Sequence, residues 1–481
     1  MTAIFEIDDR PLTDEERFPL LSEAGRKLLL RLREHRHAPR FNHQCGDRLN
    51  LEAVERIRQF EIELRTTPVT WTVGQPPAWV HEFTQFCLET VPFYRTHSAG
   101  AAAFHEVGTF SRADLNREPW SFVSDSVPLD DLIYYTTSGT TGHPLKVLSH
   151  PEVSGKYLPL LKLALATRGV TLEGGEGKVS IAVVCAQSVT YTYATVSSVL
   201  GQAGTIKINL NPGQWNSPDD RQKYLDDLNP EVYSGDPLSF MELTKLPLKT
   251  RPKALVSSSM TLLPGWRQEL ENHFQCPVID VYSMNECRLM AVAAEQGYVI
   301  VPHDLYVEIV DTEGRPCPPG VAGEVTVTCN RNPFLSLLRY RTGDRATLEF
   351  HGNTPVIASF EGRKPTLFVS MAGKVVNNID VSTVLYPFPI AQFHLHQNKD
   401  RSLVLKLRGA ESEREDIRKS IVKLFGRKQS LEIQDLTDKD TERGKVLQYT
   451  SDISDISIID GVMGYEKMTW PQIMARAWHT S

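Results

Sequence analysis

The ten residues Tyr135-Thr136-Thr137-Ser138-Gly139-Thr140-Thr141-Gly142-His143-Pro144 crowd two glycines and five Ser/Thr hydroxyls into one short segment. Backbone amides freed by glycine can converge on phosphate oxygens, and the hydroxyls of Thr137, Ser138, Thr140 and Thr141 add donors beside them. Pro144 helps to fix the exit of such a loop. The plain alternative is a polar surface turn. It is not the ATPase loop, because His143-Pro144 stand where that loop carries its Lys-Ser/Thr pair.

A phosphate clamp must sit on a scaffold, and the apolar spacing outlines one. Helix-type spacing covers 13–35 and 51–65, the second capped by Asn50, and returns at 78–95. Apolar runs at 179–185, 205–210, 254–257 and 278–282 alternate with helical stretches at 153–168, 190–203, 219–228 and 263–274. Strands separated by helices give an α/β domain whose sheet is covered on both sides. From about residue 305 the strands close up (305–311, 323–328) around the turn-rich Glu313–Gly320, which predicts a β-rich subdomain. Strands at 392–397, 402–407 and 431–434 with a charged helix at 411–425 suffice for a compact α+β unit. The fold class expected is therefore α/β: a large N-terminal domain of β-sheets flanked by helices plus a β-rich subdomain, with a small mobile α+β C-terminal domain. The large domain spans 1–361, with 1–85 a helical extension; 362–365 form a hinge and 366–481 a lid.

Composition narrows the class of function. The 481 residues are 41% hydrophobic and 23% charged, with a net charge of -7, which argues against a nucleic-acid binder. Seven cysteines without any Cys-x-x-Cys pair suggest reduced thiols in a cytoplasmic protein, not disulfides or a zinc knuckle. No apolar run has the length of a membrane helix. His43 lies near Cys45 but lacks a second ligand pair, so a packing or turn role is expected. His394 and His396 alternate with Leu395, as on one face of a strand. Lys445, taken alone, reads as a solvated lysine in a charged loop.

The segment 135–144 closely resembles the phosphate loop of the adenylate-forming superfamily of acyl-CoA synthetases, adenylation domains and luciferases. Further segments follow in the superfamily's order. Val281-Tyr282-Ser283-Met284-Asn285-Glu286 is similar to a segment whose aromatic ring stacks on adenine and whose carboxylate holds the Mg2+ bridging the phosphates of ATP. Tyr282 and Glu286 match it, Ser283 replaces a glycine, and Asn285 replaces a hydroxyl residue. Tyr340-Arg341-Thr342-Gly343-Asp344 is identical to a segment whose aspartate accepts from both ribose hydroxyls, a task suited to a carboxylate with two oxygens. Gly323-Glu324 sits where the family has a structural Gly-Glu pair. Thr441-Glu442-Arg443-Gly444-Lys445 resembles the mobile segment whose lysine enters the active site, where a cation stabilises charge developing on the phosphoryl oxygens. Val91–Arg95 and Thr109–Leu115 bring the resemblance closest to the phenylacetate:CoA ligase branch.

That resemblance implies a two-step reaction. By that resemblance a small carboxylic acid, expected to be aromatic, and ATP give acyl-AMP and pyrophosphate, and CoA or the phosphopantetheine thiol of a carrier protein then takes the acyl group. By position, Gln187, Ser188, Tyr191 and Tyr193, with Asn285, wall the substrate pocket, and Arg363 joins Tyr282 and Asp344 at the adenine and ribose. The segment 187–193 contains no basic residue to hold a second carboxylate. A homodimer is one open assembly, and the sequence does not fix the oligomeric state. Two departures stand out. The hinge reads Gly362-Arg363-Lys364-Pro365 where relatives have an acidic pivot, and proline stiffens it. The loop Met371–Val376 keeps the glycine, Gly373, that in relatives lines the pantetheine tunnel, but changes its flanks. Activation is thus more directly implied than thioester formation. Two alternatives stay open: activation of nitrite for attack by an aryl amine, as in some relatives, and a catalytically silent nucleotide-binding protein.

Overall fold

The computed structural model describes residues 12–136, 145–187, 190–259, 262, 264–361, 367–385, 387–388, 390–437 and 449–453. The loop 137–144, the hinge 362–365 and the segment 441–445 lie outside the described residues. Five parallel strands run side by side in the order Ala203–Asn209, Val179–Cys185, Val232–Gly235, Ala254–Ser257 and Val278–Met284. Their apolar runs are continuous because both faces are covered. Ala182, Val184 and Leu255 meet Tyr224, Phe240, Leu243 and Leu270 on one side. Ile181, Val256, Ile279 and Val281 meet Leu160, Leu161, Ala164 and Leu165 on the other.

The segment expected as a helix over 190–203 is instead the strand Tyr193–Ser197, antiparallel to Ala203–Asn209. Its alternation of Tyr193, Thr195 and Ser197 with Ala194 and Val196 suits a pleated surface better than a helix. Two expected helices are each divided. Asp14–Arg17 and Glu23–Glu34 replace 13–35, and Ala78–Thr90 and Pro92–His97 replace 78–95. Proline explains the second break, since it cannot donate back into the preceding turn.

The N-terminal helices are part of the main domain's core. Leu28, Leu29 and Leu32 of Glu23–Glu34 join the same cluster as Ile206 and Val196. Leu51–Thr66 starts at Asn50, whose side chain accepts from Ala53 N at 2.8 Å, and packs on the helix Pro151–Ala166. Gly155 permits that approach: a Cβ there would stand 2.3 Å from Ile57 Cδ1.

Beyond Met284 the sheet turns antiparallel without a break. Arg288–Ala294, Gly297–Ile300, Thr354–Glu361, Leu337–His351, Gly323–Cys329 and Leu305–Val310 follow in spatial order, so the β-rich part begins before residue 305 and is continuous with the parallel half in one 13-stranded sheet. Arg331 ties this junction together. Its guanidinium is 2% exposed and donates to the carbonyls of Cys287 (3.1 Å), Leu289, Val301 (2.8 Å) and His303 (3.0 Å).

Phe368, Phe393, Leu395, Leu405, Ile417, Ile421 and Phe425 form a separate core between the helix Arg414–Phe425 and a four-stranded sheet. The strand order in that sheet is Leu431–Asp435, Leu403–Gly409, Ile390–Gln397, Tyr449–Ser451. His394 and His396 share the hydroxyl of Thr450 at 2.8 and 2.7 Å. All seven cysteines are unbonded. Among the described residues no helix is long and apolar enough to cross a membrane.

Leu32→Ala should lower the unfolding free energy by about 2–5 kcal/mol in urea. Leu30→Ala on the exposed face should cost less than about 0.5 kcal/mol. Equal, small effects would show the helix to be a loose appendage. Arg331→Met, which strands four carbonyls, should cost roughly 2–4 kcal/mol. Arg331→Lys should restore little of this, because an ammonium lacks the planar fork.

Candidate active site

Val278–Met284 is the last parallel strand, and the turn at its carboxyl end sends the chain back as Arg288–Ala294. Carboxyl ends of parallel strands are where open α/β sheets gather ligands. Tyr282 lies within this strand, Asn285 is exposed on the turn, and Glu286 points inward at 3% exposure. The long strand Leu337–His351 brings Tyr340 and Asp344 to the same place. Tyr282 donates its hydroxyl to Asp344 Oδ2 at 2.7 Å. Burial, then the charge of Asp344, holds the phenol's pKa well above its usual value, so it stays a donor. The Tyr282 ring packs against Phe360, with centres 4.5 Å apart, and Phe360 in turn meets Tyr298.

Glu324 shapes the turn that presents Asp344. One oxygen accepts from Arg341 Nε at 2.9 Å and the other from Gly343 N at 3.0 Å. Gly343 has φ 86°, a conformation that favours glycine. The structural reading of Gly323-Glu324 thus acquires a specific task.

Glu286 Oε1 accepts from Arg112 Nη1 at 3.1 Å and from the Tyr340 hydroxyl at 3.2 Å. Arg112 reaches it because Phe110–Ser111 lies parallel to Tyr340 and Arg341, and Ser111 then caps the helix Arg112–Arg117, donating from N and Oγ to Asp114 Oδ2 in its first turn. Burial, followed by the charge of Glu286, raises the Tyr340 pKa well above normal. No group of three His, Cys, Asp or Glu side chains among the described residues could hold a metal. Among those residues Oε2 of Glu286 has no partner, and one carboxylate fits the way Mg2+ is held when substrate phosphates supply the other oxygens.

The expected pocket wall lies at the edge of the parallel half. Gln187 is fixed by Asn209, which accepts from its N–H at 3.3 Å and donates to its carbonyl at 2.7 Å. Tyr193 is half-buried and Tyr191 exposed, and His43 packs against both, with ring centres 6.3 and 5.2 Å away. His43 is held in the neutral direction, first by burial and then by the charges of Lys207 and Arg17. Burial pushes the Cys45 thiol up to about 12, so it is no nucleophile. His43 therefore packs, as its sequence context suggests, but beside the candidate pocket.

Ser188, the loop residues Thr137, Ser138, Gly139, Thr140, Thr141 and Gly142, and also Arg363 and Lys445, lie outside the described residues. The structure unites Tyr282, Glu286 and Asp344, with Asn285 on the same turn, and adds Arg112, Glu324, Tyr340 and Phe360. Arg112 falls within the motif 109–115, which was the one signal for it. The others depend on contacts between distant segments.

No family model and no curated protein matches the chain. Among solved structures, 2-hydroxyisobutyryl-CoA ligase in complex with 2-HIB-AMP and CoA in the thioesterification state matches with a TM-score of 0.50 at 17% identity, covering 86% of this chain and 92% of that one. The same ligase in an open conformation, with the same two molecules, matches at 0.44 and 17% identity over 78% and 90%. The anthranilate CoA ligase AuaEII in complex with anthranoyl-AMP matches at 0.37 and 14% identity over 67% and 66%. On the first of these matches, the fold of this chain is that of 2-hydroxyisobutyryl-CoA ligase.

Proposed function

We propose that this chain is an enzyme that uses ATP to activate a small carboxylic acid as its acyl-adenylate, releasing pyrophosphate, and passes the acyl group to the thiol of CoA or of a carrier protein. The observation that carries this reading is the 2.7 Å hydrogen bond from Tyr282 to Asp344, which joins the proposed adenine and ribose residues across two distant segments. Glu286 is buried within the same neighbourhood through Tyr340.

Asp344, preset by Glu324, offers carboxylate oxygens to the ribose hydroxyls. Tyr282 and Phe360 supply the apolar surface for the base, and the resemblance adds Arg363 to the residues that bind adenine and ribose. The amides and hydroxyls of 137–142 hold the phosphates. When bound at Glu286, Mg2+ would neutralise phosphate charge. A carboxylate oxygen of the acid attacks the α-phosphorus, and its bond to pyrophosphate breaks. Lys445 places a positive charge where negative charge grows in that step. Gln187, Tyr191 and Tyr193 receive the acid, and the two tyrosine rings together with His43 favour an aromatic one. The motifs at 91–95 and 109–115 support placement near the phenylacetate:CoA ligases.

Acid-dependent exchange of pyrophosphate into ATP tests the reading. Lys445→Ala and Glu286→Gln should each slow exchange by at least about a hundredfold. Unchanged exchange in Lys445→Ala would remove that residue from the reaction. An absence of exchange with every acid, together with intact ATP binding, would leave a silent nucleotide-binding protein. Formation of the acyl-CoA in the same assay decides the acceptor.

A further inference from the structure

Arg288 follows Glu286 by two residues and takes no part in the reaction as described above. Its backbone has φ 62°, uncommon for a residue with a side chain, and the strand register shifts just after it, between Leu289 and Ala291. The guanidinium carbon stands 4.9 Å from the ring centre of Tyr135, and Nη2 lies 3.3 Å from Ser154 Oγ. Ser154 also shares a 2.6 Å hydrogen bond with the Tyr135 hydroxyl. Nε is buried without a partner, and among the described residues no carboxylate pairs with this guanidinium.

A second cation stands nearby. Lys207 faces Tyr193 directly in the antiparallel pairing, and again no described carboxylate pairs with it. Arg288 and Tyr135 both lie near enough to Tyr193 for their charges to act on its hydroxyl. The charge of Lys207 acts on His43, Cys45 and Cys185. Two cations with no carboxylate partner among the described residues therefore border a wall of Tyr135, Tyr191, Tyr193 and His43. Withdrawing a charge from water without a partner is costly, whereas a guanidinium with a vacant N–H matches a carboxylate.

We propose that the activated acid carries a second anionic group, a second carboxylate in the simplest case, and that Arg288 grips it with Lys207 in support. This rests on the adenylation reading and names its class of substrate. The lack of a basic residue in 187–193 does not oppose it, because both cations arrive from other strands. A phosphate of ATP is the other source of the same chemistry. Tyr193, on the expected acid wall, favours the acid, whereas Tyr135, which opens the phosphate-type loop, keeps the ATP phosphate as the source that the experiment must separate.

Pyrophosphate exchange should be measured with a panel of aryl and aliphatic dicarboxylic acids, each paired with its monomethyl ester, which keeps the shape and cancels one charge. The diacid of the best pair should exceed its half-ester in kcat/KM by about a hundredfold or more. Arg288→Met should bring that ratio down by about a hundredfold through the KM for the acid, and Arg288→Lys should recover only part of it. Lys207→Met, on a separate strand, should lower the ratio by about tenfold, which guards against a folding defect at Arg288. Equal use of diacid and half-ester by the parent protein would overturn this inference and leave adenylation standing. So would an Arg288→Met defect confined to the KM for ATP, which would mark a phosphate grip. No exchange with any acid would overturn both.

Discussion

Two adjacent buried side chains, Arg331 and Asn332, hold the site together. Arg331 gathers carbonyls from the turn and returning strand of the hairpin 278–294, at Cys287 and Leu289, and from Val301 and His303 in the segment after it. Asn332 donates to the carbonyl of Leu148 at 2.8 Å, in the strand Lys146–Ser149 that follows the loop 137–144, and accepts from Phe334 N at 3.1 Å. One short connection thus fixes both the turn bearing Glu286 and the strand on which the phosphate-type loop returns. Burial first lowers the Arg331 pKa, but a guanidinium remains charged in any accessible range, so its charge must be met by carbonyl dipoles. The cost of losing those dipoles makes the turn rigid.

Charges around the turn are likewise held in opposed pairs. Arg112 meets Glu286, Arg341 meets Glu324, and Arg339 meets Glu308 at 3.2 Å with both side chains nearly buried. Each pair joins segments far apart in sequence. A buried pair of this kind adds little net stability, but breaking one side leaves an uncompensated ion. The pairs therefore specify geometry more than they stabilise the fold. Tyr340 belongs to the same logic, since its raised pKa keeps a hydrogen-bond donor aimed at Glu286.

Much of this was legible in the sequence where local pattern decides. The run Val179–Cys185 and the strand Ala254–Ser257 occur where continuous apolar stretches place them, and the cap at Asn50 is present. Tyr282, Glu286 and Asp344 gather as their motifs imply. The strand Tyr193–Ser197 is not legible in local spacing, because tyrosines and threonines in a short segment fit helical spacing by chance and its partner is the strand Ala203–Asn209. Arg331 is illegible for a stronger reason: a solitary arginine in a loop has no periodic signature, and its role depends on carbonyls from two other segments, 287–289 and 301–303. Arg288 and Lys207 were hidden in the same way.

Arg288 shows why backbone conformation matters at this site. In a regular strand, residues two apart share a face, so Glu286 and Arg288 would lie side by side and neutralise each other. Here Glu286 points to Arg112 and Tyr340, whereas Arg288 points to Tyr135 and Ser154. Cys287, wholly buried, separates them, and the left-handed φ of Arg288 breaks the alternation. Such a conformation costs about 1–3 kcal/mol for a residue with a side chain. The surrounding contacts, above all the Arg331 bonds to Cys287 and Leu289 on either side of it, hold it in place. The outcome is a carboxylate and a guanidinium two residues apart that serve different neighbours, which a regular strand could not deliver.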